Sequence, residues 1–396
     1  MADELTSGVP SERIGEGRRP LRLAFLGDVN SVHLRVWTGF LAARGHHITA
    51  LVADDRAVEP GLAESIRIER FRSFAVRRRV TPLSLLRGRR SIREAVRRVQ
   101  PDVLNAHFLT VHGWNAWLSG FHPYVVTLWG SDVFIHPGRS RIARTLARLT
   151  LRAADMVMIN PVMRDAALAA GADPERLRAV TIGVDVRRFS PGLASPELRA
   201  RLALAGKRVV FAPRTIAPLY RQGVVVEALS RLPGDVVLVM STARAEAGEL
   251  ARIERLAAEL GLSERLVLVP KVSHDDMTAL YRLADAVVSI PASDSASVTM
   301  LEALACERPV VVSDLPAIRQ WLDGSSGLEL VPVDDPAATA DAIARLLDEP
   351  PADRAKRVAG LRARVVEGSD QARTLAALEN MYYSLLGRRN GPVGGS

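Results

Sequence analysis

The chain has 396 residues, 48% of them apolar and 5% aromatic, with a formal net charge of +9. A lone cysteine, Cys306, excludes an internal disulfide and a multi-cysteine zinc site, and no run approaches the roughly 18 apolar residues of a membrane-spanning helix. The charge is uneven: residues 1–190 hold 29 Arg and 18 acids, a net +11, whereas residues 191–396 hold 24 Lys and Arg and 26 acids, a net −2.

Residues 1–20, MADELTSGVPSERIGEGRRP, are polar and lack an apolar signal core, so they read as a tail and export is not expected. Short aliphatic runs then alternate with helical segments. The first half offers LRLAFL (21–26), HITALV (47–52), DVLNA (102–106), PYVVTL (123–128) and DMVMI (155–159). The second offers RVVFAP (208–213), DVVLVMS (235–241), RLVLVP (265–270), DAVVSI (285–290), PVVVS (309–313) and GLELVP (327–332). Continuous apolarity suits strands buried on both faces of a parallel sheet. Amphipathic segments such as 221–232, 246–260 and 335–348 would be crossover helices. The stretch 190–208, SPGLASPELRARLALAGKR, interrupts the pattern. We expect an α/β protein of two Rossmann-like domains, 21–190 and 208–368, joined by a linker at 191–207, with parallel sheets facing a central cleft. A last helix, 369–388, is expected to return to the first domain, and 389–396 to be a tail.

Open α/β sheets bind ligands beyond the carboxyl ends of their strands. Those positions hold Gly27-Asp28-Val29-Asn30-Ser31, His107, Trp129-Gly130-Ser131-Asp132, Arg214, Ser241-Thr242, Lys271 and Ser293-Asp294. The last opens SDSASVTMLEALACERPVV, residues 293–311, where Asp294 and Glu302 stand eight positions apart. One reading is local: Thr299-Met300-Leu301-Glu302 fits a capping box, with Ser297 or Thr299 as N-cap. The other is functional: a small-residue loop entering a helix leaves N–H groups free for a diphosphate, and the carboxylates would accept from the hydroxyls of a nucleotide sugar.

The same stretch resembles the E-x7-E signature of the retaining GT-B glycosyltransferases of family 4. LAARGHHITALV, VVTLWGSDV, IGVDVRRFSPG (182–192) and LDGSSGLELVPVDDPAATADAIARLL resemble further segments of that family in the same order, over roughly residues 21–385. The resemblance implies a GT-B fold, a nucleotide-diphosphate sugar as donor substrate, no cofactor, and transfer with retention to a hydroxyl of a glycan, lipid-linked or small-molecule acceptor. It implies Glu302 on the nucleotide ribose, Asp294 on the donor sugar, and Arg214 on the phosphates. The N–H groups of Ser297, Val298 and Thr299 would lie near the diphosphate, Ser295 would be a further donor-binding residue, and Lys271 would lie near the base. The sequence departs from the family at four points: Asp294 replaces the first Glu, Gly27 alone remains of the first Gly-rich loop, Trp129 precedes Gly-Ser-Asp in place of His, and the lysine expected after Arg214 is missing. Arg221 is nearest that lysine's place.

No Asp-x-Asp occurs in the chain, so arginines and a helix N-terminus would supply the positive field, and metal independence is expected. On the first-domain side, His107 is the candidate base or sugar contact; Asp28, Asn30, His33, Trp129 and Asp132 are candidate acceptor or cleft residues. Trp129 reads either as a sugar platform or as packing under its loop. Residues 67–98 hold twelve Arg among Phe71, Phe74, Val76, Leu83, Leu85 and Leu86. This segment suits a peripheral anionic membrane surface, a solvated face or an anionic soluble acceptor. Nucleic acid is not expected, since stacking aromatics are scarce. An impaired nucleotide-sugar-binding protein and an epimerase of the same shape stay open as alternatives.

Overall fold

A computed structural model of the chain describes residues 18–59, 66–74, 82–181, 183–243, 245–270, 274–294 and 297–390. It divides into two compact units, residues 1–181 with 372–396, and residues 182–371. In the first unit the elements run β1 (Arg22–Leu26), α1 (Val32–Ala43), β2 (His47–Ala53), β3 (Arg67–Phe71), α2 (Pro82–Val99), β4 (Val103–His107), α3 (Trp114–Ser119), β5 (Tyr124–Thr127), α4 (Ser131–Phe134), α5 (Arg141–Ala153), β6 (Met156–Ile159), α6 (Arg164–Ala169) and β7 (Leu177–Ala179). The second holds α7 (Pro196–Arg201), β8 (Arg208–Ala212), α8 (Gln222–Leu229), β9 (Val236–Ser241), α9 (Ala247–Glu259), β10 (Leu266–Val269), α10 (His274–Leu283), β11 (Ala286–Ser289), α11 (Val298–Ala305), β12 (Val310–Ser313), α12 (Pro316–Leu322), β13 (Glu329–Val331), α13 (Pro336–Asp348) and α14 (Pro351–Gly368). The last helix, α15 (Gln371–Asn390), lies from Ala372 onward in the first unit.

Both sheets are parallel throughout. Their orders are β3-β2-β1-β4-β5-β6-β7 and β10-β9-β8-β11-β12-β13. The order in which the chain lays strands across the sheet reverses between β1 and β4 in one sheet and between β8 and β11 in the other. These are the switch points at which doubly wound sheets open a crevice beyond their strand ends. Helices on both faces cover the central strands: β4, β5, β9, β11 and β12 are buried at every residue.

Two short strands escape that pattern. β3, RIERF, is polar, and β7 has three residues; each sits at a sheet edge with a single neighbour. The stretch expected as a linker contains α7, and Leu198 and Leu204 are buried in the core of the second unit. In the first unit α15 brings Leu375, Leu378, Tyr382 and Leu385, spaced 3, 4 and 3 as one helical face requires, into the core with Phe25 and Val125. The Leu21 N–H donates to His46 Nδ1 at 3.0 Å, so the other ring nitrogen, Nε2, is left to donate to Glu379 at 2.6 Å. Arg44 reaches the same carboxylate, and both partners hold Glu379 below the usual carboxylate range against the upward pull of burial.

Candidate functional site

At the switch point of the second unit, the segment after β8 carries Arg214 and the segment after β11 carries Asp294. The Arg214 guanidinium donates from Nη2 to Asp294 Oδ2 at 3.0 Å and from Nη1 to Thr299 Oγ1 at 3.5 Å. It lies 4.4 Å over the Tyr220 ring, and Gln222 Nε2 donates to the Arg214 carbonyl at 2.8 Å. These contacts fix a cation beside the start of α11. That helix begins at Val298, and its first intrahelical bond runs from Leu301 N–H to Ser297 O. The amides ahead of Leu301 precede the helical ladder and lie at its positive end.

The capping-box reading fails here. Ser297 is the N-cap, but no side chain caps it. Glu302 turns instead to α10, where the buried Tyr281 hydroxyl donates to its Oε2 at 2.7 Å. Burial pushes the Glu302 carboxyl up to about 7, while the Tyr281 bond, Arg214 and Arg188 pull it down. Tyr281 and Arg188 are additions to the sequence reading. Arg188 lies inside the IGVDVRRFSPG motif; nothing in the spacing of LYRLADAVVSI marks Tyr281. Arg221 takes a left-handed conformation, φ 53°, at the start of α8. It pairs with Asp334 at 2.7 Å and donates to Pro218 O at 2.7 Å, so a phosphate would have to compete with those partners. Lys271 and Ser295 lie outside the described residues.

At the first unit's switch point a cavity of about 960 Å³ opens past β1, β2 and β4, lined by Asp28, Asn30, Arg56, Phe71, His112 and Trp114 among others. Its lining includes a strained turn: Phe108 has φ 85° and Val111 φ 58°, uncommon for any side chain and rarest for a β-branched one. Asn30 is engaged within this unit, donating to Ala57 O and accepting from Glu59 N–H, each at 3.0 Å. Asp28 is exposed and accepts from Asn30 N–H.

Two readings on this side need correction. Asp132 is fully buried. Its oxygens accept the N–H groups of Leu109, Trp129 and Gly130 at 2.9–3.0 Å, so the buried carboxylate ties two loops together. His107 is buried among Phe25, Trp37 and Trp129, and burial drives its pKa down to about 3. Enclosure by these rings and the lowered basicity both count against His107 as the base. His33 stacks on Trp129 with centroids 4.9 Å apart, and Trp129 is half-buried. Among the described residues, no group of three or more His, Cys, Asp and Glu could hold a metal ion.

Two family models match the chain: Glycosyl transferase 4-like over residues 22–161 and Glycosyl transferases group 1 over residues 206–349. D-inositol 3-phosphate glycosyltransferase of Acidothermus cellulolyticus is 35% identical over 211 residues, 50% of this chain and 44% of that protein. The protein of the same name from Mycolicibacterium vanbaalenii is 39% identical over 199 residues, 46% of this chain and 42% of that protein. The matched part thus spans less than half the length of these relatives. Among solved structures, sucrose-phosphate synthase of Thermosynechococcus elongatus superposes with a TM-score of 0.76 at 19% identity, covering 94% of this chain and all of that one. Anabaena HepE, in complex with UDP and glucose, gives 0.76 at 18% identity over 92% of this chain and all of that one. At such identities the structures speak for the fold.

Proposed function

Since the chain belongs to the GT4-type GT-B glycosyltransferases, we propose that it moves a sugar, with retention, from a nucleotide-diphosphate sugar to an acceptor hydroxyl. The observation that carries this reading is the Arg214 guanidinium held beside Asp294 and Thr299 where α11 begins. A diphosphate laid there meets a fixed cation and the helix-start amides of Ser297, Val298 and Thr299. Such preorganised donors stabilise charge as it develops on the leaving group. Asp294 would accept from the donor sugar's hydroxyls and Glu302 from the ribose diol.

In the proposed chemistry the bond from the anomeric carbon to the phosphate oxygen breaks while the acceptor oxygen bonds to the same face. The acceptor's proton passes to the departing phosphate, leaving a glycoside and a nucleoside diphosphate. With His107 enclosed and Asp132 tied to backbone, this route asks no first-unit side chain to act as base. In this reading the arginine and amides would neutralise the diphosphate without a metal, so turnover should survive a chelator.

HepE in complex with UDP and glucose makes UDP-glucose the first donor to try. The names of the relatives make inositol phosphate the first acceptor, with exposed Arg56 at the first-unit cavity as a counter-charge. Radiolabelled UDP-, GDP- and ADP-sugars, incubated with inositol phosphate and with lipid extract in EDTA, test the reading. Labelled glycoside supports it; binding without transfer would mark an impaired transferase, and loss of turnover in EDTA would end metal independence.

An anionic membrane surface is a proposed further partner, with a cytoplasmic, peripheral location. Residues 75–81 of the basic segment lie outside the described residues. Along α2, however, Arg87, Arg89, Arg90, Arg93, Arg97 and Arg98 are exposed together with Leu86. No helix among the described residues is long and apolar enough to cross a membrane.

A further inference from the structure

The motif at 182–192 has no task in the chemistry above, yet it is built onto the site. Asp185 Oδ1 accepts the N–H groups of Arg187 and Arg188, each at 3.1 Å, and Phe189 N–H bonds to Asp185 O at 2.8 Å. That turn sets the Phe189 ring edge-on to Tyr281, with centroids 5.7 Å apart and planes at 82°. Phe211 of β8 closes on the same phenol at 5.3 Å and 76°. The residue after Tyr281, Arg282, donates to Ser190 O at 2.9 Å and to Ser190 Oγ at 3.0 Å. A Cβ on Gly192 would stand 2.8 Å from Arg282 Nε, so glycine there lets the two segments close. Residues 185–192 therefore grip Tyr281 and Arg282, and the gripped phenol donates to Glu302 Oε2 at 2.7 Å.

We infer that Tyr281 is a positioning residue for Glu302: clamped by the 185–192 turn, its hydroxyl fixes the carboxylate's orientation and favours the ionised form as acceptor for a ribose diol. The inference rests on reading Glu302 as the ribose ligand. A phenol in this place serves only as a donor, because burial and the Glu302 charge raise its own pKa well above the ordinary value. The groups facing Glu302 are Tyr281 from α10, Arg214 from the end of β8, Arg188 from the clamp and the Cys306 thiol, whose pKa burial pushes up to about 12. The two arginines and the phenol favour the carboxylate; desolvation opposes it.

The test is Tyr281→Phe, which keeps the ring and its packing and removes the donor. In the ligand-free protein an infrared titration of the carboxyl band, with Glu302→Gln as the blank, should place the Glu302 titration about one pH unit higher in the variant. If the ionised form binds, calorimetry with UDP should then show about five-fold weaker affinity at pH 7 and near-equal affinity at pH 9. Phe189→Leu keeps the phenol and loosens its wall, and should give a smaller change of the same sign. An unmoved carboxyl titration in Tyr281→Phe, or an affinity loss equal at both pH values, overturns the inference. Should the wild type bind none of UDP, GDP or ADP, the ribose reading fails, while the infrared result still decides the role of Tyr281.

Discussion

Removing the Arg214 guanidinium should separate its two tasks. Arg214 and Asp294 meet at 3.0 Å with side chains 16% and 11% exposed. Exposed pairs contribute about 0.2–1 kcal/mol, and stripping one partner from a fully buried pair costs about 3–5 kcal/mol. This pair lies between, so Arg214→Ala should destabilise the second unit by about 2 kcal/mol, or about 4–8 °C of melting temperature for a unit of this size. Turnover should fall further, by about 10²–10³, the usual effect of deleting one donor aimed at developing charge. A cycle with Asp294→Ala distinguishes the two effects. Stability should be partly restored in the double variant, because no carboxylate is left without its partner. Turnover with the accepted nucleotide sugar should stay at the level of the worse single variant or below. If the double variant regained wild-type turnover, Arg214 would be a strut for the loop at 294, and the phosphate assignment would fall.

Three other changes probe the rest of the frame. Glu302 titrates at about 7 when folded, against an ordinary 4.5, so between those values the folded chain holds a proton that the unfolded chain releases. Its contribution is therefore full below pH 4.5 and declines as pH rises through 7, by up to about 3 kcal/mol; Glu302→Gln should flatten that decline in urea melts at pH 5 and 8, and an unchanged slope would contradict the buried carboxyl. A Cβ on Gly88 of α2 would stand 2.5 Å from Phe74 Cβ and 2.7 Å from its backbone nitrogen, so Gly88→Ala should cost the first unit about 1–3 kcal/mol, and an unshifted melt would contradict that packing. Asp132→Asn places an NH₂ against backbone donors and should cost about 1–3 kcal/mol with an equal effect on any acceptor; a change in acceptor preference would return Asp132 to the binding surface.

The buried strands were legible because burial writes itself as unbroken aliphatic runs. VVLVMS and VVVS need no partner information to be read as β9 and β12. RIERF and LRA were illegible because an edge strand has one neighbour and little to bury. Arg214 and Asp294 could be placed since strand ends can be counted along the chain and the switch point follows from the strand order. Tyr281 could not, since its partner Glu302 lies on another helix, α11, and a tyrosine ahead of a strand is ordinary core. His107 and Asp132 misled for the opposite reason. Position after a strand marks a residue as near a crevice, but leaves open whether it faces the crevice or the packing beneath it.

Net charge by half-chain also points away from the diphosphate site. The excess of +11 lies in residues 1–190, while Arg214 sits in the half at −2. Much of the second unit's charge is locally matched: Arg208 with Asp235, Arg252 with Glu249, Arg319 with Asp314, Arg345 with Glu329 and Arg357 with Glu349. The field at α11 is therefore local, from a part-buried guanidinium and helix amides, which mobile ions screen little. The arginines of α2 are exposed, and attraction they exert on a bilayer falls off within a Debye length of about 10 Å at 0.1 M salt. Raising salt from about 0.05 to 0.5 M should thus release the protein from anionic vesicles in a flotation assay, while UDP affinity by calorimetry changes by less than about three-fold. A donor affinity that collapsed in step with vesicle binding would mean that the nucleotide is held by exposed charge, and the pocket at Arg214 would lose its claim to the diphosphate.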